Sequence, residues 1–503
     1  MVEIIDTSLM QPGQYEGLAK LSIYNGLDTC VTLEVLDEIK IQHTPETQLI
    51  YNFERACQAP ALEMMLRGIK IDNYERFRLL RFYEKQRERL EDILHIYLKA
   101  MGWFPISPKF ARSHVQLKKF FYEFLGLPKQ YLYDKGQRKL TCNRDALEAL
   151  QAYRYARPVI SAILKSRDIG GYINVLKSGV DADGRMRFGF NVAGTETGRW
   201  SSNENAFGSG TTGHNITNLM RRIFIADEGY KLGYADLEQA ESRVVGYISE
   251  DETYIEACES DDLHTQVAKV IWAEVNWTGD PETDREKAEL PFYRHWNRRD
   301  LSKRGGHLSN YRGQAASNAK KLHVTIDVMK KFQLEYFKEY KGIPIWHTST
   351  ASTLQTKGVM TTHLGRRRYF MGRRYDDATL REAIANEPQS IVGDLLNLGM
   401  YRVWRHSKIN YLLSQLHDAI LVQFKEEDEE EAIAELKEML TIPVQINGRE
   451  MVIPVEVLVG WNWAKYDYKK PERNPDGLKV CHDGDDRTRR VSPSTPLMKR
   501  IIS

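Results

Sequence analysis

The sequence predicts an α+β fold, and three stretches carry the prediction. Residues 233–237, GYADL, read as a short strand carrying Asp236 near its end, and the following EQAESRVVGY turns into a helix. Residues 411–424 read as two apolar runs joined at the polar pair His417–Asp418, the pattern of a buried hairpin with a carboxylate at its tip. Residues 73–100 form a long, highly charged helical pattern, and further helical periods lie on either side of the two strand regions.

Two strand-end aspartates suit a shared pair of divalent cations. Mg²⁺ is held by one or two carboxylates together with substrate phosphates, and two such ions clamp the attacking and leaving oxygens of an in-line phosphoryl displacement. Asp236 and Asp418 together therefore point to nucleotidyl transfer, whereas either one alone is the ordinary residue of a strand end or turn.

With 503 residues the chain is long enough for two to four subdomains, and 42% hydrophobic with 28% charged residues is the composition of a globular protein. The net charge of +2 means that nucleic acid would be met by local basic patches, not by the overall field. Cys30, Cys57, Cys142, Cys258 and Cys481 are odd in number and far apart, with no C-x-x-C, which argues against a zinc site or a disulfide framework and for a reducing, cytoplasmic setting. The opening MVEIIDTSLMQPGQ has neither a basic leader nor an apolar core, and no run of about 18 apolar residues occurs, so neither secretion nor a membrane span is expected.

In chain order, residues 21–40 have a helical period with Tyr24 and Asp28 on its broad face. Asp28 reads either as a helix-start residue after Gly26 or as a metal ligand paired with Tyr24 one turn earlier. Residues 48–66 make an amphipathic helix closed by Gly68 and a short strand. The Arg and Lys interleaved with aromatics in 73–100 read either as a solvated face or as a helix touching a phosphate backbone. A Ser/Pro-started helix over 107–127, a basic loop at 133–141 and a helix from Asn143 would make a flexible clamp. A helix near 157–178, a turn at Asp181–Gly184 and a strand lead to Thr195, Thr197, Gly198, Arg199, Ser201 and Ser202. Small hydroxyl residues around one Arg suit close approach to a nucleic-acid backbone or groove edge.

Residues 252–273 read as one helix containing Asp262-Leu263-His264, and 276–290 as a polar connection. Arg299, Lys303, His307 and Tyr311 then recur every four residues along one helix face. Two cations, an imidazole and a phenol are poorly made for a core and well made for a triphosphate with its sugar and base. Gly305 and Gly306 each cost about 1 kcal/mol in that helix, so they serve flexibility or close approach. Basic clusters at 365–369 and 373–374 precede a helix from Arg381 that presents Gln389. Glu426–Glu431 read as a solvated helix start, 451–460 as a returning strand, and 469–503 as a polar, mobile tail.

Taken together these residues resemble the polymerase domain of family A DNA polymerases, as in bacterial DNA polymerase I and its bacteriophage relatives, over about residues 20–468. The first family motif stands here as Asp236, Glu241 and Arg243, the second as Arg299, Lys303, Tyr311 and Gly313, and the third as His417 and Asp418. The segments TETGRWSS, DLH at 262–264, GRRRY and Gln389–Asp394 are similar to the family as well.

The resemblance implies a right hand with an antiparallel palm sheet and helical thumb and fingers: 49–180 thumb and palm entry, 181–250 palm, 251–345 fingers, 346–468 palm, and 469–503 tail. It implies template-directed DNA synthesis on primer-template DNA with dNTPs and two Mg²⁺ ions, Mn²⁺ being a substitute. A phage setting in the host cytoplasm is expected. Asp236 and Asp418 would bind the metals, and Lys303, Arg299 and His264 the triphosphate. Tyr311, His307 and Gln239 would line the nucleotide site, with Glu241 crowding the sugar 2′ position. Arg199, Thr197, Gln389, His417 and Arg243 would contact DNA. Two departures stand out: His307 where the family usually has Phe or Tyr, and Ala419 where the third motif often continues to Glu, leaving two evident carboxylate ligands.

Tyr24-x₃-Asp28 matches the last motif of the family's 3′-to-5′ exonuclease, so residues 1–48 read as a C-terminal remnant of that domain. The earlier Asp-x-Glu pair has no counterpart, and no proofreading is expected from this chain alone. Either a separate exonuclease chain docks on residues 1–45, or Tyr24 and Asp28 are a packing vestige. A single-subunit RNA polymerase or primase-like enzyme with the same palm is the alternative, against which Glu241 argues. A catalytically dead DNA-binding scaffold is made improbable by retention of Asp236, Asp418, Arg299 and Lys303.

Overall fold

The computed structural model describes residues 18–41, 43–107, 109–134 and 137–481. At its centre is an antiparallel sheet of β1 (Tyr230–Leu237), β2 (Tyr411–Gln415), β3 (Ala419–Lys425), β4 (Val455–Gly460) and β5 (Lys479–Val480), in the order β2-β3-β1-β4-β5. Both faces are covered, which is why β1 and β3 read as near-continuous apolar runs. Gly233 makes the tight β1–β3 packing feasible: a Cβ there would lie 2.8 Å from the Phe424 ring.

The helices that place the site are α1 (Leu18–Ile41), α2 (Pro45–Arg67), α3 (Asn73–Ala100), α4 (Arg157–Lys177), α5 (Ala240–Ile248), α6 (Leu263–Ile271), α7 (Arg298–Asn310), α8 (Ile326–Glu339), α9 (Asp377–His406) and α10 (Glu429–Leu440). Their starts follow from capping: Thr44 closes a capping box on α2, and Asp72, Asp262 and Asn297 accept backbone N–H groups at the starts of α3, α6 and α7. One core lies between the sheet and the α5–α9 layer, a second between the opposite sheet face and the bases of α3 and α4, and a third around Leu94, Phe110, Phe120 and Ile163 at the far end of the α3–α4 arm. No helix among the described residues is long and apolar enough to cross a membrane.

Several expectations are corrected. Residues 107–127 are a 3₁₀ turn, a short α-helix and a π-helical turn (Lys119–Phe124), because the aromatic run Phe120, Phe121 and Tyr122 is turned into the distal core. The basic loop is a hairpin, Tyr131–Asp134 paired with Gln137–Leu140. The 252–273 segment is two helices, broken where Asp262 caps α6, and the 276–290 connection contains a helix (Pro281–Glu289) started by Asp280. Asp28 is neither helix start nor turn but lies half-buried inside a continuous α1 that runs through Gly26, on which Tyr24 is 48% exposed. The tail is built into the fold as far as β5; residues 482–503 lie outside the described residues.

The glycines of α7 serve close approach. A Cβ at Gly305 would meet the buried Phe332 ring at 2.8 Å, whereas one at Gly306 would meet Tyr336 at an ordinary 3.5 Å. Gly306→Ala is therefore expected to stabilise by about 0.5–1 kcal/mol through helix propensity, and Gly305→Ala to destabilise by about 1–2 kcal/mol through overpacking. Urea denaturation that gave the two variants the same sign would disprove the distinction.

Candidate active site

Strand register brings the two aspartates together. Asp236 lies opposite Ala419 of β3 and Glu456 of β4, and the Leu237 N–H donates to the Asp418 carbonyl at 2.9 Å, so the end of β1 is clipped to the β2–β3 turn. The Asp236 carboxyl is pushed well above the usual carboxylate range by burial first and by the Asp418 charge second; Lys465, with Nζ 3.9 Å away, and Lys303 pull the other way. Among the described residues no cluster of three or more His, Cys, Asp and Glu side chains is arranged to hold a metal. A partly buried carboxylate beside a second one, with incomplete cationic compensation, is what a divalent cation would relieve, and an incomplete protein shell matches an ion that keeps water and phosphate ligands. The residues fit such an ion. With EDTA present, Asp236→Asn is expected to raise Tm by about 2 °C, since it removes a charge that the fold penalises. A lowered Tm in calorimetry would contradict this account.

Opposite stands the exposed face of α7. Lys303 and His307 are exposed, and Tyr311 follows at the C-cap instead of within the helix. Arg299 is gripped by Asp262 through Nε (2.7 Å) and Nη2 (3.2 Å), which orients its guanidinium. His264 joins this group: burial, then the charges of Lys303 and Arg299, push its imidazole down to about 4, so it is neutral at pH 7. The end of α7 is pinned by buried Asn310, which donates to Tyr254 Oη (2.9 Å), accepts from Tyr336 Oη (2.7 Å) and offers its carbonyl to His347 Nε2 (2.8 Å).

Glu241, in the first turn of α5, is the hub between the two halves. Its carboxylate pairs with Arg199, accepts from Tyr311 Oη and lies 3.9 Å from His307 Nδ1. His307 and Tyr311 meet edge to face at 5.0 Å. Gln239 precedes the helix in a left-handed conformation (φ 52°) with its buried Oε1 unpaired, the kind of strained backbone found at functional sites.

The other sequence candidates are distributed around this hub. His417 is exposed on the β2–β3 turn, its ring tilted 57° against that of His214 at 4.7 Å, and His214 Nε2 meets the Gln415 carbonyl at 2.9 Å. Gln389 is half-buried on α9. Thr197 is buried, its hydroxyl 3.1 Å from that of Thr195, and Arg243 is buried toward Tyr247 and Cys258, so the structure does not bring these two to the cleft surface. Tyr24 and Asp28 are on α1, apart from the site. Sequence reasoning missed Glu456, Lys465 and His214. Alternation along β4 could have flagged Glu456; the other two carry no local signal.

Residues 81–465 match the family model for DNA polymerase family A. The thermostable DNA polymerase I of Thermus filiformis is 28% identical over 436 residues, 83% of this chain and 49% of that protein. DNA polymerase I of Caldicellulosiruptor bescii is 26% identical over 432 residues, 83% of this chain and 47% of that one. The chain thus spans about half the length of the curated relatives it matches. The solved POL domain of Pol1 from M. smegmatis, in complex with DNA primer-template and dNTP, superposes with a TM-score of 0.66 at 24% identity, covering 82% of this chain and 70% of that chain, a likeness of fold. With most of its length matching the family and its sheet and helical layers superposing on a POL domain, the chain belongs to DNA polymerase family A.

Proposed function

We propose that the chain adds deoxynucleotides to a primer 3′-hydroxyl on a DNA template. The observation that carries this reading is the facing of a paired strand-end dicarboxylate, Asp236 and Asp418, by a helix bearing Lys303 and an oriented Arg299. Bound between the carboxylates and the substrate phosphates, two Mg²⁺ ions, or Mn²⁺ in their place, would supply charge neutralisation of the attacking and leaving oxygens. The chain's own residues do the rest. Lys303, exposed and without an ion pair among the described residues, takes the phosphates, and Arg299 adds an oriented donor. The neutral imidazole of His264 donates one hydrogen bond without adding charge. Glu241 occupies the place where a ribose 2′-hydroxyl would sit, and Tyr311 and His307 flank the sugar and base. Arg199, Gln389 and His417 reach the primer end.

In this reading the five-stranded sheet with α5 and α9 is the palm, the α3–α4 arm the thumb, and residues 251–345 the fingers. Nuclease activity is not expected of this chain alone, since a two-metal nuclease needs several carboxylates and the family's Asp-x-Glu pair has no counterpart among residues 1–23; a separate exonuclease chain would dock on residues 1–45. Cytoplasmic action in a phage-infected host belongs to the same proposal and rests on the odd number and wide spacing of the five cysteines, with no C-x-x-C, and on the sequence resemblance. The test is primer extension with a labelled primer-template, Mg²⁺ and either dNTPs or rNTPs, with a mismatched primer as a control. Template-matched extension with dNTPs is expected; extension only with rNTPs would select an RNA polymerase, and none with either would reject the proposal.

A further inference from the structure

Beneath the site lies an ion cluster drawn from three distant parts of the chain. Arg366 is buried; its Nη1 donates to Glu54 Oε1 of α2 at 2.6 Å, and its Nη2 and Nε to the Asp394 carboxylate of α9 at 2.7 and 3.2 Å. Asp394 is 1% exposed. Such a cluster is a poor way to gain stability, because desolvating the charges offsets most of their attraction and apolar side chains of the same volume would do as well or better. Its position suggests another use. The guanidinium lies flat under Gly198, where a Cβ would come within 2.4 Å of Arg366 Cζ, and Gly198 holds a left-handed turn (φ 76°). The turn is closed by Gly198 N–H to the Thr195 carbonyl (3.1 Å) and by Thr195 Oγ1 to the Arg199 carbonyl (2.8 Å), and Asn397 Nδ2 reaches the Gly198 carbonyl at 3.4 Å. The next residue, Arg199, is the one that grips Glu241, and Glu241 in turn holds Tyr311.

We propose that Arg366, oriented by Asp394 and Glu54, is a positioning residue: it forms the floor that fixes the Gly198–Arg199 turn, and through Arg199 sets where the Glu241 carboxylate stands. The inference rests on the reading of Glu241 as the residue beside the nucleotide sugar. It differs from a merely structural role in predicting a change in nucleotide selection and not only in stability. The planar fork of an arginine is required, since a lysine offers a point charge that cannot hold both carboxylates and present a flat face to Gly198.

Glu54→Gln and Asp394→Asn test this in the full chain, as near-isosteric changes that each remove one charge. Two readouts are taken: amide hydrogen exchange over residues 194–204, and primer extension with separate KM for dNTP, kcat and the rNTP/dNTP ratio. Both variants are expected to exchange about tenfold faster within 194–204 and to raise KM for dNTP and the rNTP/dNTP ratio about five- to tenfold, with the primer-template Kd within about twofold. Glu54 is partly exposed, so Glu54→Gln is the variant that folds if Asp394→Asn does not, and it then decides the matter. Wild-type exchange, or faster exchange with an unchanged KM and ratio, would overturn the proposal. A wild-type chain that extends no primer would reject the functional reading; the exchange measurement would still confirm or refute the support of the turn.

Discussion

Asp236→Ala is expected to lower primer extension by about 10³-fold or more while changing the primer-template Kd by less than about threefold, and Asp418→Ala to do the same. At 1.36 kcal/mol per tenfold, a 10³-fold loss is about 4 kcal/mol, the size measured when a group acting on charge developed in the transition state is deleted. The structure supports so large a value because neither side chain has a substitute: their strand and turn are joined by the Leu237 to Asp418 backbone bond, Ala419 beside them carries no ligand, and Glu456, opposite Asp236 on the neighbouring strand, completes no metal cluster among the described residues. Binding should survive because a duplex would be held through its phosphates by cationic side chains, and these two carboxylates are not among them. Single-turnover extension and a binding titration at one salt concentration measure both quantities. If either variant retained more than about a tenth of the rate, Asp236 and Asp418 would not be the metal-binding pair.

Glu241→Ala is expected to raise the rNTP/dNTP incorporation ratio about 10²-fold, equivalent to about 2.7 kcal/mol of lost discrimination. The carboxylate is no free surface acid. Arg199 and Tyr311 hold it, so it keeps its place when a 2′-hydroxyl arrives, and displacing it costs two charge-assisted hydrogen bonds. Tyr311→Phe, which removes one of those bonds but keeps the carboxylate, should shift the ratio by only about three- to tenfold. Competition between matched rNTP and dNTP at a single template position gives the ratio directly. Equal ratios for wild type and Glu241→Ala would remove Glu241 from the sugar site and leave it a structural link between α5 and Arg199.

Much of the site was legible because its parts are local. Asp236 and Glu241 lie five residues apart across a strand-to-helix switch, His417 and Asp418 form one turn, and Arg299, Lys303 and His307 fall on one helical face, so period and turn chemistry place each set without knowledge of the others. Element boundaries suffered where a capping residue interrupts a period. Asp262 splits what reads as one helix, and the apolar face of α6 resumes after it. The 107–127 stretch fails differently: its helical period is real, but Phe110, Phe120 and Phe121 must all enter a distal core with Leu94 and Ile163, and tertiary packing overrides the period.

By itself the sequence determined most of the elements, the strand-end carboxylates and the cationic helix face as separate local sets, and the family resemblance, since each depends on residue type at short spacing. Tertiary structure alone decided that Glu241 binds Arg199 and Tyr311, that Glu456 stands opposite Asp236, that Arg243 and Thr197 turn inward, and that Arg366 supports Gly198 from between Asp394 and Glu54. The physical reason is range. Capping, period and turn preferences act over a few residues, whereas these contacts join positions 28 to 312 residues apart and exist only because the sheet register and the packing of α2, α7 and α9 bring their side chains within hydrogen-bond distance.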